Sequence, residues 1–471
     1  PPTTTRPPAR KNSVHSPPKP EHIMRTTILL SIALTLSTFT LSTFTFAQPA
    51  AKQTTAQLQA AINDLHILGN DFWIYNDLAG AIAQAKQSNK PIFVTFRCVP
   101  CKNCAGFDAE VAKGSEGIKK LAQDKFVSLR QVEMKGVDLS QFQFDYDLNW
   151  AAMFINADGT VYARYGTQSI DGPDAYNSIA SLEKTMQRVL DLHDNYEKVK
   201  ASLAAKRGPD KPYKTALEMP GMENKEKLAG TTVRNNCVHC HMIHDAEQNQ
   251  WRTEGTMSLE NLYRWPLPDN VGMHIDPKDG RKIETILPNS PAAKAGLAPG
   301  DEVVTVAGQP ITSVADIQWP LQNLPKGDAT VELTLLHNGQ PTTKTLSLAS
   351  GWKKTDFLWR KSRQSLHPQP GFWPVLLNDK QINDLGAAIP PGVKPFRVQF
   401  IDKIHPEGQA IRNAGLKEGD IIITLDNQPV TFPTSDAFQM HIRLNCKPGQ
   451  TLKLKVLRNA KPIDIDLTLV E

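Results

Sequence analysis

The sequence predicts a multi-domain chain, α/β in its first half and mostly β in its second. Two patterns carry that prediction. Residues 72–96 place an amphipathic helix before a short, continuous apolar run, as expected of a buried strand. The last two hundred residues contain one β-rich unit twice. The length of 471 residues leaves room for about three domains. With 40% apolar and 21% charged residues, the composition suits folded domains rather than a disordered tail.

Residues 1–23 have no apolar period and read as an untranslated or disordered leader. From Met24 a short basic start precedes an apolar, Ser/Thr-rich run that ends in Thr45-Phe46-Ala47. That is the layout of a secretory signal over 24–47, which places the mature protein in the periplasm or cell envelope. No other run is long and apolar enough to span a bilayer, so no membrane span remains after cleavage. Removing the first 47 residues removes five basic residues and one acidic one, and the formal charge falls from +5 to +1. The basicity is mostly leader, and no nucleic-acid surface is expected.

Residues 48–205 form the first module. DLAGAIAQAKQSNK has apolar residues at helical spacing, and PIFVTF follows as a strand. Cys98-Val99-Pro100-Cys101 comes next, at a strand-to-helix junction. There a helix start and the neighbouring Arg97 favour a thiolate on Cys98. Cys101 lies within disulfide reach, and Cys104, one turn on, is a candidate resolving thiol or a buried residue. FVSLRQVEM reads as a strand, AAMFINADGTVYARYG as strand–turn–strand, and Tyr176 to about Ala205 as one long helix. This module resembles the thioredoxin fold over about 70–190. The resemblance implies thiol–disulfide exchange, with Cys98 and Cys101 as catalytic residues. Three positions depart from the family: Arg97 replaces an aromatic, Ile92 a buried acid, and Trp150 the proline that faces the active site. A structural disulfide or a metal pair stays open at that point.

Residues 206–266 hold Cys237-Val238-His239-Cys240-His241, which matches the C-x-x-C-H attachment pattern of haem c. Two thiols would bond the porphyrin and His241 would ligate the iron. His244 is a candidate second axial ligand, and Trp251, Leu262, Tyr263 and Trp265 could wall the group. Zinc on Cys237, Cys240 and two of the histidines is the alternative cofactor, and a second dithiol is the third reading.

The repeat aligns ILPNSPAAKAGLAPGDEVVTVAGQPIT with KIHPEGQAIRNAGLKEGDIIITLDNQPVT, pairing Gly296 with Gly415 and Asp301 with Asp420. Both copies continue into a strand pair. The pattern resembles two bacterial-type PDZ domains, over 267–350 and 371–471, with a linker at 351–370. The resemblance implies binding of an extended protein or peptide partner. The peptide-binding loop would be Val271-Gly272-Met273 in the first unit and, more weakly, Gly371-Phe372 in the second. PDZ pairs occur in exported serine proteases, but the chain has no G-x-S-x-G or G-x-S-G-G turn, so a serine protease is not expected. The expected function is an exported thiol–disulfide oxidoreductase carrying haem c, its partner docked on the PDZ domains. The alternative is a non-enzymatic PDZ scaffold with structural cysteines or zinc.

Overall fold

The computed structural model describes residues 53–64, 72–97, 105–113 and 115–470. Among these residues no helix is long and apolar enough to cross a membrane. The first layer is a five-stranded sheet of β1 (Ile74–Tyr75), β2 (Ile92–Arg97), β3 (Val127–Gln131), β4 (Trp150–Ile155) and β5 (Val161–Tyr165), in the order β1-β3-β2-β4-β5. β1, β3 and β2 run parallel, while β4 and β5 are antiparallel to their neighbours. All six residues of β2 are buried, which explains its unbroken apolar run. α1 (Thr55–Ile62), α2 (Leu78–Ser88), α3 (Ala105–Lys113), α4 (Glu116–Asp124), α5 (Ile179–Asp194) and α6 (Tyr196–Leu203) accompany the sheet.

The long helix expected from Tyr176 is two helices and begins later. Ser178 caps α5 by accepting from the Ser181 N–H, and the chain breaks at Asn195. Tyr176 is thereby left in a loop. The 206–266 segment, with α7 (Lys225–Ala229) and α8 (His241–Thr253), packs onto the first sheet. Val238, Ile243 and Ala246 join one of its hydrophobic cores, and Cys237 joins the other.

The first PDZ unit contains β6 (Met273–Ile275), β7 (Ile283–Ile286), α9 (Pro291–Lys294), β8 (Glu302–Val306), β9 (Gln309–Pro310), α10 (Val314–Asn323), β10 (Ala329–His337) and β11 (Gln340–Leu348). β6 pairs with β7, and the rest form a sheet in the order β11-β10-β8-β9. The second unit has β12 (Phe372–Leu376), α11 (Asp379–Leu385), β13 (Phe396–Ile401), α12 (Pro406–Ala414), β14 (Ile421–Leu425), β15 (Gln428–Pro429), α13 (Ser435–Asn445), β16 (Thr451–Arg458) and β17 (Lys461–Thr468). Its strands run β12-β13-β14-β16-β17, with β15 on β14, so β12 is an edge. The repeated G-D turn has one physical reason in both copies. Asp301 accepts the Ala298 N–H at 3.0 Å and meets His337, while Asp420 accepts the Lys417 N–H at 2.8 Å and meets Arg458.

Candidate functional site

An open groove lies in the second PDZ unit. Edge strand β12 runs beside α13, held there by Phe372 against Phe438 and by the Leu376 N–H donating to Ser435 Oγ at 3.3 Å. Between strand and helix is a cavity of about 260 Å³, lined by Gly371, Phe372, Trp373, Phe400, Gln439, Met440 and Arg443 among others. Gly371 has φ +70°, and a Cβ there would come within 2.7 Å of the Glu407 backbone, so glycine is required. Trp373 and Phe400 pair across β12 and β13, and both are half-exposed at the rim. An edge strand beside a helix is how a PDZ domain takes an extended peptide, as an added strand.

The corresponding loop of the first unit is built similarly but is closed. Gly272 has φ +92° and packs on Ser290, while Val271 and Met273 are buried. The chain's own Tyr176 packs into this unit's core. Its hydroxyl donates to Asp269 at 2.6 Å and its ring lies 5.7 Å from His274 on β6. The helical wall is engaged too. The Arg164 N–H donates to Asp316 on α10 at 2.9 Å, and Thr167 Oγ1 donates to Gln318 at 2.8 Å. Residues 164–178 therefore engage α10 and the residues on either side of Val271-Gly272-Met273.

Cys98, Cys101 and Cys104 lie outside the described residues. Their neighbour Arg97 is buried and pairs with Asp108 at 2.7 Å. Asp108 also accepts from Arg130, which bonds Asp64 at 2.9 Å. Sequence reasoning missed these two buried acids, because their partners come from distant segments. The charge of Arg97 is thus matched by a carboxylate, where a free positive neighbour for a thiolate was expected.

The C-x-x-C-H stretch does not fit a porphyrin. Cys237 is buried, and its thiol lies 3.3 Å from the Val233 carbonyl oxygen. The two cavities that Cys240 lines measure about 10 Å³ each, room for no more than a water. His244 Nδ1 meets buried Asp147 at 2.7 Å, a contact that orients the ring and leaves Nε2 as its other nitrogen. His241 Nδ1 meets Asp245 at 3.0 Å. Trp251, Tyr263 and Trp265 wall a separate cavity of about 560 Å³ that neither cysteine lines.

Among the described residues one group brings three metal-type ligands within 4.8 Å of one another, Asp145, Asp147 and His244. Arg360 Nη1 already lies between the carboxylates, 2.6 Å from Asp145 and 3.3 Å from Asp147. Ser362 adds its N–H and hydroxyl to Asp147, both at 2.9 Å. Burial raises the Asp147 carboxyl, but His244 and Arg360 outweigh it and hold it well below the usual range. The carboxylates are thus met by Arg360, Ser362 and His244, an ionic network rather than a vacant metal cage.

Fold and groove define the class: a thioredoxin-like domain joined to two PDZ domains. Family descriptions match accordingly, "Thioredoxin-like" over residues 73–157 and "PDZ domain" over 282–333 and 397–469. Among curated proteins, the chain is 27% identical over 218 residues to the magnetosome formation protease MamE of Magnetospirillum gryphiswaldense, covering 42% of this chain and 28% of that protein. It is 27% identical over 190 residues to the periplasmic pH-dependent serine endoprotease DegQ of Escherichia coli, covering 40% and 36%. It is 29% identical over 161 residues to the periplasmic serine endoprotease DegP of Salmonella typhimurium, covering 34% and 29%. The chain thus spans about a third of these relatives. Of solved structures, the HtrA-type protease AlgW with decapeptide matches at 15% identity and TM-score 0.19, over 30% of this chain and 49% of that one. The HtrA3 PDZ domain with a phage-derived ligand matches at 17% and 0.16, over 21% and 81%.

These relatives overturn two expectations. The curated ones are named as proteases, not as haem or thiol-redox proteins, which removes the oxidoreductase reading and its haem c. They also overturn the exclusion of serine proteolysis, which had rested on missing short motifs.

Proposed function

We propose that this chain captures extended segments of client proteins in the periplasm, as a recognition component of HtrA/Deg-type proteolysis. The carrying observation is the open cavity between edge strand β12 and α13. Backbone N–H and C=O groups on an unpaired edge supply affinity for an added strand, and the helix wall reads its side chains. The names of the relatives point to proteolysis as the setting, and those relatives are periplasmic. Zinc on the Cys237–His241 stretch has weaker support, since the metal-type ligands brought together among the described residues are Asp145, Asp147 and His244 and include neither cysteine.

A second reading is that the chain cuts what it holds. Asp147 on His244 Nδ1 is the orienting half of a hydrolytic triad. Among the described residues no hydroxyl hydrogen-bonds the other ring nitrogen, so capture is favoured. The test is fluorescent unfolded casein incubated with the full chain, with and without a serine-reactive phosphonate. Retention without cleavage supports capture. Phosphonate-sensitive cleavage supports the second reading, and neither retention nor cleavage rejects both.

A further inference from the structure

The helical wall of the second PDZ groove carries an unanswered request for an acceptor. Gln439 and Arg443 sit one turn apart on α13, at i and i+4, and so share a face. Both line the cavity. Gln439 is about 95% buried, at 5% relative exposure, and its Nε2 amide has no hydrogen-bond partner. Arg443 donates Nη1 to the Arg363 carbonyl at 2.8 Å, and its buried Nε has no partner. Orphaned buried donors cost free energy, so a groove that keeps two of them is built to meet something that accepts.

The charges in the groove say what that something is. Arg363 is paired with Asp436 at 2.8 Å, and Asp402 with His405 at 2.7 Å. Among the described residues no carboxylate lies within ion-pair distance of Arg443. Burial, and then the charge of Arg363, push its guanidinium down to about 10 against a smaller pull from Asp436, so it stays a cation at neutral pH. A partly desolvated arginine with no carboxylate in ion-pair contact, beside an orphaned amide, calls for an anion with oxygen acceptors.

We propose that Arg443 and Gln439 select client segments bearing an aspartate or glutamate side chain, held against α13 while the segment adds to β12. The carboxylate is assigned to a side chain because in strand addition the helix faces the ligand's alternate side chains, not its backbone. Apolar neighbours of that acid would rest on Trp373 and Phe400. This inference rests on the capture reading above and sharpens it to a class of client.

The test is a peptide array of random ten-residue sequences probed with the full chain. Each peptide is made in four forms: with one internal Asp or Glu or with the matching Asn or Gln, each with a free and with an amidated end. The expected result is retention of the acidic form over its amide by roughly tenfold or more, as a charged hydrogen bond warrants, whether or not the end is amidated. Arg443→Met and, separately, Gln439→Leu should shrink that ratio towards one. Equal retention of acid and amide overturns the inference and leaves capture standing. Dependence on the free end alone assigns the carboxylate to the chain terminus and overturns it too. No retention of any form overturns capture itself.

Discussion

Asp147 shows how one residue can hold three segments together. It accepts from His244 on α8, from Arg360 and from Ser362, across more than two hundred positions of sequence. Removing one partner of such a group leaves charges buried without compensation, which is far worse than never having the pair. Asp147→Asn should therefore cost about 3–5 kcal/mol in urea unfolding, with Arg360 stranded beside Asp145 alone. A loss within the noise of a surface substitution would show that the network is hydrated and of little weight. Little of this was legible beforehand. His244 was visible as a candidate ligand because it lies near two cysteines, but its true partner is set by packing, and no local pattern in the FDYDLNW stretch marks Asp147 as buried.

At the scale of elements, the joint between the first module and the first PDZ unit depends on charge. Asp279 pairs with Lys184 at 2.7 Å and Arg188 at 2.8 Å, both on α5. Burial raises its carboxyl, but those cations prevail and bring it down to about 2. A depressed carboxyl stabilises the fold fully above the unfolded value, about 4, and that contribution is lost as pH falls from there through about 2. Asp279→Asn should remove this part of the acid dependence, read as a flatter fall of Tm between those two pH values; an unchanged profile would mean the pairs are screened. A second bond at the joint is less exposed. Lys206 Nζ is buried 2.9 Å from Asp316, though off the hydrogen-bond direction. Asp316→Ala would leave that ammonium alone and free the Arg164 N–H, and should lower stability by about 3–5 kcal/mol in the same assay. Elements themselves were read well where the signal is local. β2 followed from an unbroken apolar run, β4 and β5 from Asp158-Gly159 at their turn, and both PDZ units from the repeated A-G-L and G-D patterns. The joint was not, because helical periodicity around Tyr176 hides a cap at Ser178 and a loop committed to a partner 93 residues away.

For the whole molecule, two PDZ domains do not make two equal binding sites. Residues 164–178 engage the first PDZ unit at two places, through Tyr176 to Asp269 and Arg164 and Thr167 to α10. A peptide entering there would have to displace buried contacts that the chain makes within itself, at an effective concentration no free ligand matches. The second groove has the linker on its helical wall, through Arg363 to Asp436 and Arg443, but among the described residues its edge strand β12 pairs only with β13. Calorimetric titration of the full chain with a peptide retained on the array should therefore give one site per chain. Truncating the strap with Tyr176→Ala loosens one wall only, so it should lower stability by about 1–3 kcal/mol for the lost charged hydrogen bond and packing, and leave the count at one. Arg443→Met should instead weaken the measured site for an acidic peptide by roughly tenfold without altering Tm by more than about 4 °C, the shift expected of a small change in stability. Two equivalent sites in the unmodified chain would mean that the strap yields to ligand, and the first PDZ unit would then be a receptor in its own right. One site whose affinity Arg443→Met leaves unchanged but that disappears on blocking the first groove would reverse the assignment of the two units.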